Sequence, residues 1–514
     1  MLHLRRQRKR HDPVLRTSAI SAAILIAAAG AARPASAQQL TFPRLYTLTE
    51  DTSRENGWSV SGAGDVNGDG FADFVVGARN GDFGRGSARV FSGADGSELY
   101  RFDGMLAGST EISVSDAGDV NGDGFGDVVF GENQIRFEYG YYSYYPYITS
   151  TRRARVFSGA DGSELLDFDN VGNPNREHDG FGRSVSGLGD VDGDGFDDVI
   201  VGGQYNNIYA FSGNALVYSG VDGGFLTSPS STSQAFSVSG AGDVNGDGFA
   251  DYMVGQPYNN RYFPRGNATV YSGSDDSVLF SFEAEDFNTS FGFSVSDAGD
   301  VDGDGLIDFI VGDPGNDENG NRSGAAHVFS GADGAELYKF TGDSTDDRFG
   351  FSVSGAGDVD GDGFADLLIG APGDDPDSTS NTGSVYVYSG ADGSLLARLT
   401  GDDTDPALRE FGVGSFGRSV SGIGDVNGDG LDDFIIGAPY GDPSFDGQAV
   451  VFGGVQASNP LDFNGDGSID ISDLIGFINE FFGAQADPAL DFNGDGSIDI
   501  SDLVNYINDF FASP

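Results

Sequence analysis

The chain has 514 residues, with 80 acidic and 27 basic side chains, a formal net charge of −53 and no cysteine. That length supports more than one folded unit, the lack of cysteine excludes disulfides and thiol chemistry, and so acidic a surface repels the phosphates of nucleic acid. Glycine is abundant, at 82 residues, but it recurs in fixed phrases rather than as filler.

Residues 1–37 read as an export signal. Arg5, Arg6, Arg8, Lys9 and Arg10 form a basic start, and SAISAAILIAAAGAA (18–32) is an apolar stretch too short to span a bilayer. Ala35-Ser36-Ala37 offers a small-x-small cleavage site. No later stretch is apolar enough to span a membrane, so a secreted or cell-surface protein is expected.

Residues 38–454 are a repeat. DVNGDGFAD begins at 65, DVNGDGFGD at 119, DVDGDGFDD at 190, DVNGDGFAD at 243, DVDGDGLID at 300, DVDGDGFAD at 358 and DVNGDGLDD at 425. Seven copies at intervals of 53 to 71 residues indicate a repeat architecture. A phrase such as FGRSVSG (181–187 and 416–422) or FGFSVSG (349–355) comes before each acidic loop. An apolar run such as LLIGAP (367–372) or FIIGAP (434–439) comes after it, followed by a strand–turn–strand such as ARVFSGADGSELY (88–100). Each unit thus reads as four short antiparallel strands, A to D, with a two-residue Asp-Gly hairpin between C and D. Seven four-stranded units predict an all-β fold, a seven-bladed β-propeller whose innermost strands carry small side chains. The seventh unit stops after AVVFGG (449–454). RLYTLTEDT (44–52) reads like ELYKFTGDST (336–345) and is expected to supply the missing outer strand, closing the ring.

The loops between strands A and B place oxygen donors at positions 1, 3, 5 and 9. The candidate metal ligands are Asp65, Asn67, Asp69 and Asp73; Asp119, Asn121, Asp123 and Asp127; Asp190, Asp192, Asp194 and Asp198; and Asp243, Asn245, Asp247 and Asp251. They continue as Asp300, Asp302, Asp304 and Asp308; Asp358, Asp360, Asp362 and Asp366; and Asp425, Asn427, Asp429 and Asp433. Alternate oxygens in a tight, glycine-rich turn converge on one point, and hard oxygen ligands in a flexible loop suit calcium better than magnesium.

These phrases closely resemble the FG-GAP repeats of the integrin α-subunit propeller, over residues 44–454. The resemblance implies seven blades with calcium in the A–B loops. There are departures: Asn56-Gly57-Trp58 and Glu111-Ile112 replace the Phe-Gly start in the first two units, and Gly131-Glu132-Asn133 replaces Gly-Ala-Pro in the second.

In residues 455–514, DFNGDGSIDISDLIGFINEFF (462–482) repeats as DFNGDGSIDISDLVNYINDFF (491–511). Donors fall at positions 1, 3, 5, 7, 9 and 12: Asp462, Asn464, Asp466, Ser468, Asp470 and Asp473, then Asp491, Asn493, Asp495, Ser497, Asp499 and Asp502. This is EF-hand spacing with Asp in place of the usual Glu at position 12. A helix is expected after each loop, with Ile471, Leu474, Ile475, Ile478 and Phe482 on one apolar face. The paired units closely resemble a dockerin, over 461–511. That resemblance implies a cohesin-like partner read by Ile471, Ser472, Ile500 and Ser501; a small calcium-folded cap without a receptor is the alternative. About nine calcium sites are expected in all.

The B–C and D–A loops are expected on the face opposite the acidic loops. IRFEYGYYSYYPYITSTRR (135–153) reads as a long loop bearing Tyr139, Tyr141, Tyr142, Tyr144, Tyr145 and Tyr147. QYNNIY (204–209) extends it with Tyr209 and a second tyrosine placed at position 204, and QPYNNRYF (256–263) adds Tyr258 and Tyr262. Tyrosine-rich loops favour recognition of a glycan or a protein. His178 and His327 stand isolated in the sequence, and no triad order, zinc spacing or phosphate loop accompanies them. A non-enzymatic recognition or adhesion protein is therefore expected. A polysaccharide-degrading enzyme and a structural matrix protein remain as alternatives.

Overall fold

The computed structural model describes residues 39–49, 55–79, 85–105, 110–138, 147–169, 181–203, 205–207, 210–212, 214–229, 235–257, 265–284, 286, 289–375, 382–401, 415–440 and 447–456. The export segment and the whole of 457–514, with its two EF-hand-like loops and its partner-reading residues, lie outside the described residues.

Residues Gln39–Gln456 form one compact unit. It is all-β and contains seven four-stranded antiparallel sheets, the blades of a propeller. In blade one the strands are Asn56–Gly64, Asp73–Ala78, Ser87–Phe91 and Glu98–Asp103. Blade five repeats them as Ser294–Gly299, Asp308–Asp313, Ala325–Phe329 and Glu336–Thr341. Strand B is apolar and buried along its whole length, as in Asp73–Ala78, because it has a sheet neighbour on each side and another blade against each face. The core therefore lies in layers between blades. Ile435, Ala449 and Val451 of blade seven, for example, pack with Val60, Phe74 and Val76 of blade one.

The expected ring closure is present. Arg44–Thr49 pairs antiparallel with Gln448–Phe452, which joins Asp433–Ala438 and then Ser419–Gly424. The first and last parts of the propeller thus share one sheet. The SVSG phrase gains a second meaning in space. In five blades its first serine accepts the N–H of the valine in the next blade: Ser59 from Val114 at 3.3 Å, Ser184 from Val238 at 3.1 Å, Ser237 from Val295 at 3.2 Å and Ser294 from Val353 at 3.2 Å. Ser419 does the same for Val60 at 3.1 Å, across the closure. Ser113 and Ser352 instead donate to Gly182 O and Gly417 O of the next blade.

Two local expectations are corrected. The Asp-Gly phrase is not a two-residue turn. Ser92 and Ser97 close a longer loop, with Ser92 N–H to Ser97 O at 2.9 Å and Gly96 N–H to Ser92 O at 2.9 Å. Within it only Gly96 has positive φ, at 71°, while the Asp95 carboxylate caps Ser97 N–H at 2.9 Å. The tyrosine-rich segment is not all loop either. Strands B and C of blade two run on as Asp127–Glu138 and Tyr147–Phe157, in register from Val128↔Phe157 to Glu138↔Tyr147. In blade three, Tyr205–Asn207 and Ala210–Ser212 form a separate small hairpin. Alternating apolar and polar residues in both extensions let the ladder continue past the disc.

The closure makes a quantitative prediction. Leu48 is 8% exposed in the layer between blades seven and one. Leu48→Ala is expected to cost about 2–5 kcal/mol, read by denaturant unfolding.

Candidate functional site

The acidic loops share one geometry. In blade one, Asp65 turns inward and accepts N–H groups from Gly68 at 2.7 Å, Asp69 at 3.1 Å and Gly70 at 3.0 Å. Asn67 Oδ1 accepts from Asp69 at 2.9 Å, and Asp69 Oδ1 from Phe71 at 3.0 Å. These short bonds hold the oxygens of positions 1, 3 and 5 around one centre. Where position 3 is aspartate the convergence is measurable. One carboxylate oxygen from each of Asp190, Asp192 and Asp194 lies within 4.8 Å of the other two, and Asp300, Asp302 and Asp304 repeat this. In blade six the converging set is Asp358, Asp360 and Asp366. Like charges gathered so closely repel, and a divalent cation at their centre relieves that repulsion. The donor set fits calcium: oxygen only, flexible, and carrying several negative charges.

The ninth residue has a further structural task that spacing does not reveal. Asp73 is fully buried; its Oδ2 accepts Val66 N–H at 2.9 Å, and its Oδ1 accepts Gly93 N–H, from the C–D turn, at 2.9 Å. Asp127, Asp198, Asp251, Asp308, Asp366 and Asp433 make the same pair of bonds in their blades. Position 9 therefore ties the A–B loop to the C–D turn and confirms that both lie on one face. Burial pushes Asp73, Asp198 and Asp433 up to about 6, Asp127 up to about 7 and Asp366 up to about 9; neighbouring loop carboxylates add to this and the backbone donors oppose it.

Position 7 links the loops around the ring. Phe125 of blade two lies against Gly68 of blade one, and Phe71 of blade one lies against Gly428 of blade seven.

On the opposite face, the residues that begin strand A make a stacked belt around the channel mouth. Arg418 lies 3.7 Å from the Trp58 ring centroid and 5.3 Å from that of Phe351. Phe351 and Phe293 are 4.8 Å apart, Phe293 and Phe236 4.5 Å, and Arg183 caps Phe236 at 4.2 Å. Arg183 is in turn paired with Glu111 at 2.6 Å, and Arg79 covers Trp58 at 4.4 Å. Burial lowers the Arg418 guanidinium to about 10. The departures from Phe-Gly thus have structural roles. Gly57 keeps the left-handed backbone at φ 78°, and Asn56 is buried, donating to Leu48 O at 2.9 Å and accepting from Arg89 at 3.0 Å. In six blades the belt member is the residue just before the SVS phrase; in blade two that residue, Ile112, is buried in the core, and Glu111 joins the belt instead.

Behind the belt runs a channel of about 800 Å³ lined by Ser61, Ser115, Ser186, Ser239, Ser296, Ser354 and Ser421. Asp116 and Asp297 enter it where the other blades have glycine, and burial pushes Asp116 up to about 6. A further acidic group, Asp343, Asp347 and Asp374, lies outside the repeat loops, with Asp374 held by Arg398 at 2.5 Å and Tyr386 at 3.0 Å.

The tyrosine set needs one correction. Position 204 is not a tyrosine: it is Gln204, the first residue of QYNNIY, and the tyrosine stands one place later, at Tyr205. The shift matters in a strand, where neighbouring side chains leave opposite faces. Tyr205 opens the small hairpin of blade three and pairs with Ser212, whereas Gln204 lies outside the described residues. Tyr139, Tyr141, Tyr142, Tyr144, Tyr145, Tyr209, Tyr258 and Tyr262 also lie outside them. Tyr147 and Tyr205 are described as strand backbone only. His327 is not isolated in space: its Nδ1 lies 2.7 Å from Glu336 Oε1.

The loops lead to two expected outcomes. Asp198→Ala is expected to cost about 2–4 kcal/mol even in chelator, because two backbone donors lose a buried carboxylate; Asp194→Ala is expected to change stability chiefly when calcium is present. Urea melts of both variants, with and without calcium, check this. In chelator, the ninth-position carboxyls hold protons more tightly folded than unfolded. Their stabilisation is full below the unfolded value of about 4 and is lost as pH rises through about 6 to 7. The melting temperature in chelator is therefore expected to fall from pH 4 to pH 7, and calcium is expected to offset that fall.

Comparison with known proteins agrees with this geometry. The FG-GAP repeat family profile matches residues 56–91, 349–388 and 416–452, and the FG-GAP-like repeat profile matches 190–254. The Dockerin type I domain profile matches 460–510. Integrin alpha-5 of Xenopus laevis is 31% identical over 212 residues, 38% of this chain and 19% of that protein. Integrin alpha-V of Gallus gallus is 31% identical over 211 residues, 38% of this chain and 19% of that protein. Integrin alpha-PS2 of Drosophila melanogaster is 36% identical over 206 residues, 38% of this chain and 14% of that protein. The chain spans less than a fifth of the length of these curated relatives. Seven four-stranded blades and these matches together make the chain a seven-bladed β-propeller with FG-GAP repeats similar to those of integrin α subunits, followed by a region that matches the Dockerin type I domain.

Proposed function

We propose that the chain is an exported recognition protein whose propeller is stiffened by calcium and whose C-terminal region attaches it to a partner. In this reading residues 1–37 direct export, 38–454 form the recognition propeller and 455–514 form the docking module. Seven calcium ions would sit in the A–B loops, held by positions 1, 3 and 5, with position 9 completing the set. Two more would sit at the paired loops of 462–473 and 491–502. Bound calcium neutralises the crowded carboxylates and fixes the loop face. A cohesin-like protein is the proposed partner of 455–514, read by Ile471, Ser472, Ile500 and Ser501, and the match to the Dockerin type I domain supports it.

The observation that carries the recognition reading is the belt of Trp58, Phe236, Phe293, Phe351, Arg183 and Arg418 around the channel mouth. Half-buried aromatics interleaved with arginines offer stacking area and fixed donors at little entropic cost. In this reading the tyrosine-bearing B–C segments add to the same ligand surface. A glycan or an extended protein surface fits that chemistry, since both present flat apolar patches edged with acceptors.

The test is capture from secreted and envelope fractions with residues 38–514 and 38–454 as baits, each in calcium and in chelator. A protein partner is expected on the longer bait only, and only in calcium. A second ligand is expected on both baits, weakened by Trp58→Ala without a change in calcium-dependent melting. If neither bait retains anything in calcium, the recognition reading fails, and self-assembly or polysaccharide cleavage takes its place.

A further inference from the structure

In blades one and two an arginine of strand C fills the groove beside strand D. Arg89, 4% exposed, lies 3.5 Å from Glu98 and 5.0 Å from the Phe91 ring centroid. Arg155, also 4% exposed, lies 3.5 Å from Glu164 and 5.0 Å from the Phe157 centroid. It adds Glu132 at 3.4 Å and the carbonyl of Asp103, in the preceding blade, at 3.1 Å.

Strand register identifies the same groove in blade five. Phe91 pairs with Glu98, Phe157 with Glu164 and Phe329 with Glu336. Two residues before each phenylalanine stand Arg89, Arg155 and, in blade five, His327. Five residues after the ninth loop aspartate stand Glu132 in blade two and Asp313 in blade five. Blade one has Ala78 at that place, with Arg89 bonded to Asn56 instead, so blade five keeps both acids and the ring of blade two but lacks the guanidinium that blade two places between them.

The shorter imidazole leaves a pocket of about 200 Å³, lined in part by Asp313, Thr289, His327, Phe329 and Glu336. A water takes about 30 Å³ of liquid, so this space suits a ligand group rather than one solvent molecule. Asp313 is 2% exposed and accepts Ser290 N–H at 2.7 Å, with Gly315 and Asn316 also donating to it. The Thr289 hydroxyl is 6% exposed and has no hydrogen-bond partner. Lys339 also lines the pocket; it is paired with Glu318 at 2.7 Å, and its charge reaches Asp313. Glu283, another lining residue, holds in blade four the position of Asp103 in blade one. The outer mouth is acidic, since Glu283, Asp286 and Glu336 are exposed.

We propose that this pocket binds a guanidinium group from another molecule, in the place that Arg89 and Arg155 occupy in their own blades. The planar fork of a guanidinium can donate to Asp313 and Glu336 at once, give a further N–H to the Thr289 hydroxyl and lie over Phe329. A compact ammonium lacks both the fork and the stacking face. Burial pushes Asp313 up to about 6, against its hydrogen bonds and the Lys339 charge, and a further cation alongside favours its ionised form. The site lies in the flank between blades four and five and does not depend on the ligand face proposed above.

The test uses the full chain in saturating calcium. Titration with ethylguanidinium chloride, followed by the His327 imidazole resonance and by calorimetry, is expected to show one saturable site at which neutral propylurea does not bind. Glu336→Gln is expected to weaken it about tenfold, the loss of one charge-assisted bidentate contact. His327→Arg rebuilds the self-filled groove of blades one and two, so it is expected to abolish binding and raise the melting temperature. Acetyl-Ala-Arg-Ala-amide distinguishes the source. Tighter binding than ethylguanidinium points to an arginine on a protein, and binding of ethylguanidinium alone points to a free small molecule. No saturable site in the parent chain, equal binding of propylurea, or undiminished binding in His327→Arg would overturn the proposal.

Discussion

Each blade buries the carboxylate at the ninth position of its acidic loop, and the loop face is arranged around it. Asp73 and its six counterparts take one backbone N–H from the start of the acidic loop and another from the C–D turn. A buried ionised group without partners is costly, so each of these oxygens must be met. The two bonds fix the loop above the sheet end, and the loop then holds its other acids around a common centre. Metal affinity and blade architecture are therefore coupled through one residue. The same coupling explains why so acidic a chain can fold: its densest charge is collected where a cation can neutralise it.

Cohesion between blades has a different origin. Strand A is too crowded for large side chains, so serine does what a longer residue could not, accepting a backbone N–H from the next blade while remaining small. The valine between the two serines points the other way, into the apolar layer between blades. Period-two alternation thus serves the channel with one face and the core with the other. The aromatic–arginine belt follows from this geometry, because the residue just before the phrase emerges at the rim, where there is again room for a large side chain.

The grooves between blades show how repetition permits divergence. Blades one and two fill theirs with an arginine held by acids, and blade six uses Tyr386 and Arg398 around Asp374. Blade five keeps the acids and substitutes a histidine. There one acid, Asp313, is buried and the other, Glu336, is exposed, with no arginine between them.

Much of this was legible beforehand. The count of seven loops, the four-strand unit and the split final blade were all written in the spacing of DxDGDG phrases and in RLYTLT at 44–49, because each reflects a local pattern of period two or of turn chemistry. The resemblance to FG-GAP and dockerin modules was equally a matter of local phrases. The sequence alone could not show that the ninth aspartate binds the C–D turn some twenty residues on, that Ser419 meets Val60, that Trp58 lies under Arg418, or that His327 faces Glu336. Those are contacts between blades or between distant strands of one blade. They exist only once the chain has folded, when strand register and the packing of blades decide which side chains share a groove. Local hydrogen-bond geometry determined the blade, and packing of one blade on the next decided what the protein can hold.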